Sequence, residues 1–478
     1  MKKVFLCAAA FAACAAFGVE TDGEGFVSLF NGKDLTGWIG SKSYGVEIVK
    51  EKLANGTVKE FPVLACQPGK RVKGDHGNLC TEGQYENFIL RFEFCMPENG
   101  NNGLGLRMTD VNKDAAYWAM CELQLLDDGG SSYYDKKAKK DKLRPYQYTG
   151  SVYGIVPVKR DNFNQIWGKE KNFTGGGSYV RKPGMWNFEE VRVIGSRIQV
   201  ILNGELVTDA DVSKFKGDGT DTPDHRKHPG LHNKKGHIGW LGHGSHVMWR
   251  NIRIKEVPAD YKVGSDTKKP CPEGFKPLFS GCEKCLVNWK GVTTAEKFDN
   301  PKVRQAATPE KRAAMQKIAD KQMKEHWHIR DGALFFDGGK GGYSLATAKD
   351  YKDFEMWVDW RTLSITGDSG LYLRGSPQVQ IWDAHNQWGI GSGGLYNNKK
   401  NPSRALCIAD NLVGSWNTFY VKMVGDKVTV KLNGKLVVDN VTLENYWDRK
   451  IPIFPVEQIE LQCHGDPIEF KNIFIKEL

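Results

Sequence analysis

The stretch Gly370 to Asp383, G-L-Y-L-R-G-S-P-Q-V-Q-I-W-D, sets Arg374, Gln378, Gln380 and Asp383 among apolar residues at strand-like spacing. Side chains alternate along a strand, so Gln378 and Gln380 share one face while Val379 and Ile381 pack on the other. Two amides with a nearby cation and carboxylate suit a hydroxyl-rich ligand. An altered copy lies earlier, at Gly103-Leu104-Gly105-Leu106-Arg107 and, after a longer loop, Cys121-Glu122-Leu123-Gln124-Leu125-Leu126-Asp127. The chain reads as building one kind of site twice.

Other landmarks repeat in the same order. Glu24 to Trp38 is echoed by Glu273 to Trp289, Tyr85-Glu86-Asn87-Phe88 by Tyr351-Lys352-Asp353-Phe354, and Trp186-Asn187 by Trp416-Asn417. Leu202-Asn203-Gly204 returns as Leu432-Asn433-Gly434, and the closing run Ile238 to Val257 as Ile459 to Leu478. So many matches in one order indicate tandem duplication. Each unit reads as strands: Lys427 to Leu432 alternates Val428, Val430 and Leu432 with polar residues, and Asn433-Gly434 supplies the two positive-φ residues of a tight hairpin. Short alternating strands broken by Gly, Asn and Pro predict antiparallel sandwiches, with no βαβ pattern. The exception is Thr308 to His326, where Thr308 as N-cap, Glu310 in the first turn and spaced Ala313, Met315, Ile318 and Met323 predict a surface helix inserted in the second unit.

At 478 residues the chain exceeds a single ordinary core. Met1 to Gly18 has Lys2 and Lys3, an apolar run and small residues near its end, the pattern of a secretory signal peptide. The expected organisation is therefore a signal peptide (1–18), a first domain (19–260), a polar linker (261–270) and a second domain (271–478). Cys14 offers a lipoprotein alternative that Phe11 upstream disfavours. No later segment has the length and apolarity of a membrane helix, so the expectation is an exported, periplasmic or extracellular protein. Loss of Lys2 and Lys3 lowers the formal charge from +10 to +8, much of it in the run Lys136 to Arg144. That run reads as a solvated loop, with an acidic polysaccharide or membrane surface as the alternative. Nothing matches a nucleic-acid module, a P-loop, a nucleophile elbow or a metalloprotease helix. Of eleven cysteines, nine lie beyond the leader, and Cys282-Glu283-Lys284-Cys285 reads as a loop disulfide in preference to a zinc knuckle.

Gly370 to Asp383, Gly391 to Asn401 and Ile459 to Leu478 closely resemble one branch of the 3-keto-disaccharide hydrolase family, and the shared landmarks extend the resemblance to both halves. It implies two tandem concanavalin A-like jelly-roll domains, all-β. It further implies a concave-sheet pocket that cleaves glycosides oxidised at the sugar C3 by elimination and hydration, in some members with a divalent metal ion. The matching positions in the second unit are Arg374, Gln378, Gln380, Asp383, Gln462 and His464. Asp383 and His464 are expected in acid/base or metal duties, Arg374 at an oxyanion or hydroxyl, and the three glutamines at hydroxyls. In the first unit the positions are Arg107, Glu122, Gln124, Asp127 and His243, with Glu122 a candidate base or metal ligand where the second unit has Gln378. Here the closing strand departs from the family pattern, with Leu241 and Gly242 before His243.

Each candidate has a structural alternative. Arg107 and Arg374 can satisfy the sheet surface, Asp127 and Asp383 can cap turns, and His243 and His464 can hold the turn before a glycine. His385 can join the site or simply pack. Trp118, Trp240, Trp382 and Trp388 are of the type that stacks on sugar rings, Trp382 being the expected contact, yet most tryptophans in a sandwich are core. The histidines between His225 and His246 form a candidate metal cluster that lacks regular ligand spacing. Three readings follow: an enzyme acting on oligosaccharide or glycoside substrates, a lectin-like binding protein, or one catalytic and one binding domain.

Overall fold

The computed structural model describes residues 23–70, 77–109, 119–135, 137–138, 140–159, 179–339 and 343–478. The expected signal peptide with Cys14, Trp118 and part of the Lys136 to Arg144 run lie outside the described residues.

Each half stacks an eight-stranded sheet on a five-stranded one, all pairings antiparallel. The fold class is all-β, two tandem sandwiches, with few helices. In the first half the five-stranded sheet runs Trp38–Gly40, Asn78–Thr81, His237–Leu241, Asn101–Met108, Cys121–Leu126. Its counterpart runs Trp289–Gly291, Leu345–Thr347, Glu460–Leu461, Asp368–Leu373, Ser376–Trp382. Between the sheets of the first half lie Phe92, Trp240 and Trp249, with Trp240 stacked on Trp249 at 4.7 Å. In the second, Trp360, Phe419 and Ile381 take the same layer. Trp240, fully buried there, is a core residue and no sugar platform.

Most of the shared landmarks hold the scaffold. Asn203 and Gly204 have φ of 48° and 96°, and Asn433 and Gly434 of 51° and 82°, as the tight hairpin requires. The Asn203 side chain donates to Asn187 at 2.8 Å, and Asn433 to Asn417 at the same distance, so each Trp-Asn landmark is the lock of its own hairpin. The guanidinium of Arg250 lies 3.9 Å over Trp186, and the ammonium of Lys471 lies 3.6 Å over Trp416.

The inserted helix spans Pro309–His326, its first turn capped by Thr308 Oγ accepting from Lys311 N–H at 3.2 Å. A shorter helix, Pro301–Ala306, precedes it and was not foreseen. The long helix docks where Gly291 leaves room: a Cβ at that position would lie 2.1 Å from the Ala319 carbonyl oxygen. No helix among the described residues is long and apolar enough to cross a membrane.

The two halves pack through the outer faces of their eight-stranded sheets. Glu190 accepts from Arg91 at 2.7 Å and Arg192 at 2.6 Å, and lies 3.4 Å from Arg361 of the second half. Arg361 also pairs with Glu469, which Arg330 contacts at 2.9 Å. Phe188, Phe335, Leu363 and Val413 join around these charges as a shared apolar cluster.

Candidate functional site

Three neighbouring strands of the second half's five-stranded sheet present one face to a hollow of about 590 Å³. Alternation selects Asp368, Gly370 and Tyr372 from Asp368–Leu373, Gln378 and Gln380 from Ser376–Trp382, and Glu460 with Gln462 and His464 from the closing strand and the turn after it. The intervening Leu371, Val379, Ile381 and Leu461 point into the core and fix the register. Tyr446 and Trp447 form a wall, the Trp447 indole donating to the Gly375 carbonyl at 2.8 Å.

Gly370 is needed for the floor. A Cβ there would lie 2.9 Å from the Val379 carbonyl oxygen and 3.1 Å from Gln462 Oε1, so the bare backbone lets the amides lie flat over the strand. Gln378 donates to Gln380, and Gln380 Nε2 donates to Asp368 Oδ1 at 2.7 Å. Gln462 Oε1 is buried with no protein partner among the described residues, leaving an amide acceptor for a ligand hydroxyl.

The ends of the floor differ in character. At one, His464 Nδ1 lies 3.4 Å from Asp368 Oδ2, and the imidazole is largely exposed to the hollow. Burial pushes the Asp368 carboxyl above its ordinary range, against the pull of His464 and the Gln380 hydrogen bond. At the other end Glu460, paired with Gln458 Nε2 at 2.7 Å, is pushed by burial to a pKa of about 7, although Arg304 pulls it down. Burial, then the neighbouring Glu460 carboxyl, raises the Tyr372 hydroxyl, which stays a proton donor. His464 follows Glu460 by four positions, at most about 14 Å of extended chain, a reach long enough to accommodate a sugar ring. The Glu460 carboxyl and the His464 imidazole thus line the same hollow as the amides.

The expected site residues divide. Gln378, Gln380, Gln462 and His464 come together in the hollow; Arg374 and Asp383 do not. Arg374 donates to the Gly425 and Pro455 carbonyls and ties the end of its strand to a hairpin turn. Arg107 repeats this in the first half, donating to Glu86 O at 2.8 Å and Gly195 O at 2.9 Å. Asp383 caps the turn that follows it, accepting from His385 N at 3.0 Å and Asn386 Nδ2 at 2.8 Å. Asp127 likewise accepts from Asn99 N at 2.8 Å. These four side chains are occupied in holding the fold. Asp368, Glu460 and Tyr372 were missed, although their alternation on either side of Gly370 and Gln462 was the available signal. Trp382 donates to Ile390 O at 2.7 Å and stacks on Trp388 at 4.9 Å, in a cavity adjoining the main hollow. His385 is packed, its Nε2 lying 2.7 Å from Asp410 O.

The corresponding surface of the first half is chemically poorer. Asn101, Gly239 and Leu241 stand where the second half has Asp368, Glu460 and Gln462. Glu122 overlies Gly103, where a Cβ would meet its Oε1 at 2.4 Å, and burial raises its carboxyl to a pKa of about 8. Gln124 turns its amide oxygen to its own strand, accepting from Leu125 N at 3.1 Å, and His243 is exposed beyond the strand end.

Among the described residues no three His, Cys, Asp or Glu side chains converge as a metal site. Asp368 and His464 make a two-member set whose carboxylate already serves Gln380, so the donors do not fit a bound divalent ion. The histidines of the first half disperse into local pairs, His228 with Asp224 at 3.1 Å and His246 with Glu47 at 3.0 Å. Cys282 and Cys285 stand as thiols with sulfurs 3.3 Å apart, unlike the expected disulfide.

The β-sandwich and its hollow lined by amides and carboxyls agree with the carbohydrate-active class that the family match defines. The chain belongs to the 3-keto-alpha-glucoside-1,2-lyase-like domain family, whose model matches residues 25–255 and again 274–476. It is similar to a 3-keto-disaccharide hydrolase from Bacteroides thetaiotaomicron, 28% identical over 251 residues, covering 50% of this chain and 80% of that protein. Among solved structures, a Parabacteroides distasonis protein provisionally called a glycosyl hydrolase is 23% identical, with a TM-score of 0.37, covering 49% of this chain and 95% of its own. The carbohydrate-binding module CBM66 from Bacillus subtilis is 10% identical, with a TM-score of 0.21, over 45% and 97% of the two chains.

Proposed function

We propose that the second half cleaves glycosides whose sugar carries a ketone at C3, and that the protein is exported through its N-terminal segment. What carries this reading is the polarity of the hollow, with the Asp368 and His464 pair at one end, Tyr372 and the Glu460 carboxyl, its pKa raised to about 7, at the other, and the unpartnered Gln462 amide oxygen between. A C3 ketone acidifies the proton on C2. His464, oriented by Asp368, takes that proton, and the C–H electron pair moves to the ketone oxygen as an enolate that the Tyr372 hydroxyl stabilises by donating to it, while the Gln462 amide oxygen accepts from a sugar hydroxyl. The enolate collapses, the C1–O bond breaks with its electrons, and the departing oxygen takes a proton supplied at the Glu460 end. Water then adds across C1 and C2, hydroxyl to C1 and proton to C2, so the net reaction is hydrolysis.

Replacement of Asp368, Glu460 and Gln462 by Asn101, Gly239 and Leu241 favours a first half that binds or supports and does not turn over substrate. The test is turnover of a chromogenic 3-keto-glucoside. His464→Ala and Asp368→Asn should each lower kcat by roughly 10²-fold or more, while Glu122→Gln leaves it within about twofold. A wild type that binds the sugar but never turns it over would establish a lectin.

A further inference from the structure

The main hollow does not end at the amide floor. Gln380 and Tyr396 also line a second cavity of about 290 Å³, so the two adjoin across these side chains. Trp382 and Trp388 stack at 4.9 Å and 19° beneath it, and Tyr396, half exposed, stands edge-on to Trp382 at 5.2 Å. The Trp388 indole N–H is buried with no protein partner among the described residues. A pyranose ring, with C–H bonds on its faces and hydroxyls at its rim, needs an apolar plate edged by such donors.

The remaining wall comes from the first half. Strands Tyr44–Lys52 and Val58–Cys66 form a hairpin of nine-residue strands, whereas the second half's counterpart, Trp327–Arg330 with Ala333–Phe336, has strands of four. The extra length carries the tip across the interface. There Ala54 N donates to Gln387 O at 2.8 Å and Asn55 Nδ2 to Gly389 O at 2.9 Å, and Ala54 and Asn55 line the cavity.

Resting on the carbohydrate reading of the main hollow, we infer that this cavity is a second sugar subsite, and that the first half serves the second by walling it. The occupant is the sugar on the leaving side of the scissile bond.

Ala54→Trp fills the cavity from the first half's side, and Arg404→Trp fills it from the other, at an exposed position that lines this cavity and not the main hollow. Two readouts are compared: kcat/KM on a 3-keto-disaccharide against methyl 3-keto-glucoside, and tryptophan fluorescence on titration with the unoxidised disaccharide. Both variants should weaken disaccharide binding and raise its KM by about tenfold, with the methyl glycoside changed less than about twofold. Equal effects on both substrates, or none on the disaccharide, overturn the subsite. If the wild type turns over neither keto substrate yet binds the disaccharide in an Ala54-dependent way, the proposed chemistry falls and the subsite stands.

Discussion

At the scale of single residues, the positions the two halves share are mainly those that hold the fold. Arg107 and Arg374 are identical between copies because both copies need the same strand ends tied, and Asp127 and Asp383 each accept from a loop N–H, Asp127 from Asn99 and Asp383 from His385. Arg374→Ala should therefore cost stability, about 3 kcal/mol for hydrogen bonds from a buried cation to carbonyls, while the folded fraction keeps its kcat; a denaturant titration run beside the kinetic assay checks both. Glu460 makes the opposite prediction. Its pKa is raised from 4.5 to about 7, so the neutral acid dominates below that value and is lost above it. Activity should fall as pH rises through about 7, and a pH profile of Glu460→Gln should lose that alkaline limb.

At the scale of elements, strand alternation and register determine which side chains share the hollow. Gly370 sits opposite Gln380 in the pairing, and its missing side chain lets three strands' worth of polar groups lie in one plane. Gly370→Ala should leave the circular dichroism spectrum intact, because the strand tolerates alanine, yet raise KM several-fold by displacing Gln462 and Gln378. The hairpin turns and the capped helix at Pro309–His326 were legible, since each rests on contacts within a few residues. The hairpin of two nine-residue strands in the first half was not, because its tip is matched to a partner surface far along the chain.

At the scale of the molecule, the halves are held together by buried charge. Glu190 is pulled well below the ordinary carboxylate range by Arg192, Arg91 and Arg361 against burial, and Glu469 to about 2 by Arg361 and Arg330 against burial. Removing one member strands the others, so Glu190→Ala should destabilise the protein by about 3–5 kcal/mol, measured by chemical denaturation. The linkage has a definite sign. Glu469 titrates at 4.5 when unfolded and about 2 when folded, so its contribution is present above pH 4.5 and is lost as pH falls toward 2. Melting temperature should drop over that window, and less so in Glu469→Gln.

The sequence by itself determined the duplication, the all-β class and the strand whose amides floor the hollow, because these follow from periodicity and local turn chemistry. Only the tertiary structure decided that Arg374 and Asp383 hold the scaffold while Asp368, Glu460 and Tyr372 line the hollow. Strand order places Glu460–Leu461 beside Asp368–Leu373, although about ninety residues separate them in the chain. An arginine or an aspartate reads the same in sequence whether a ligand or a backbone carbonyl waits at its tip, and which of these is present depends on segments that meet only when the chain folds.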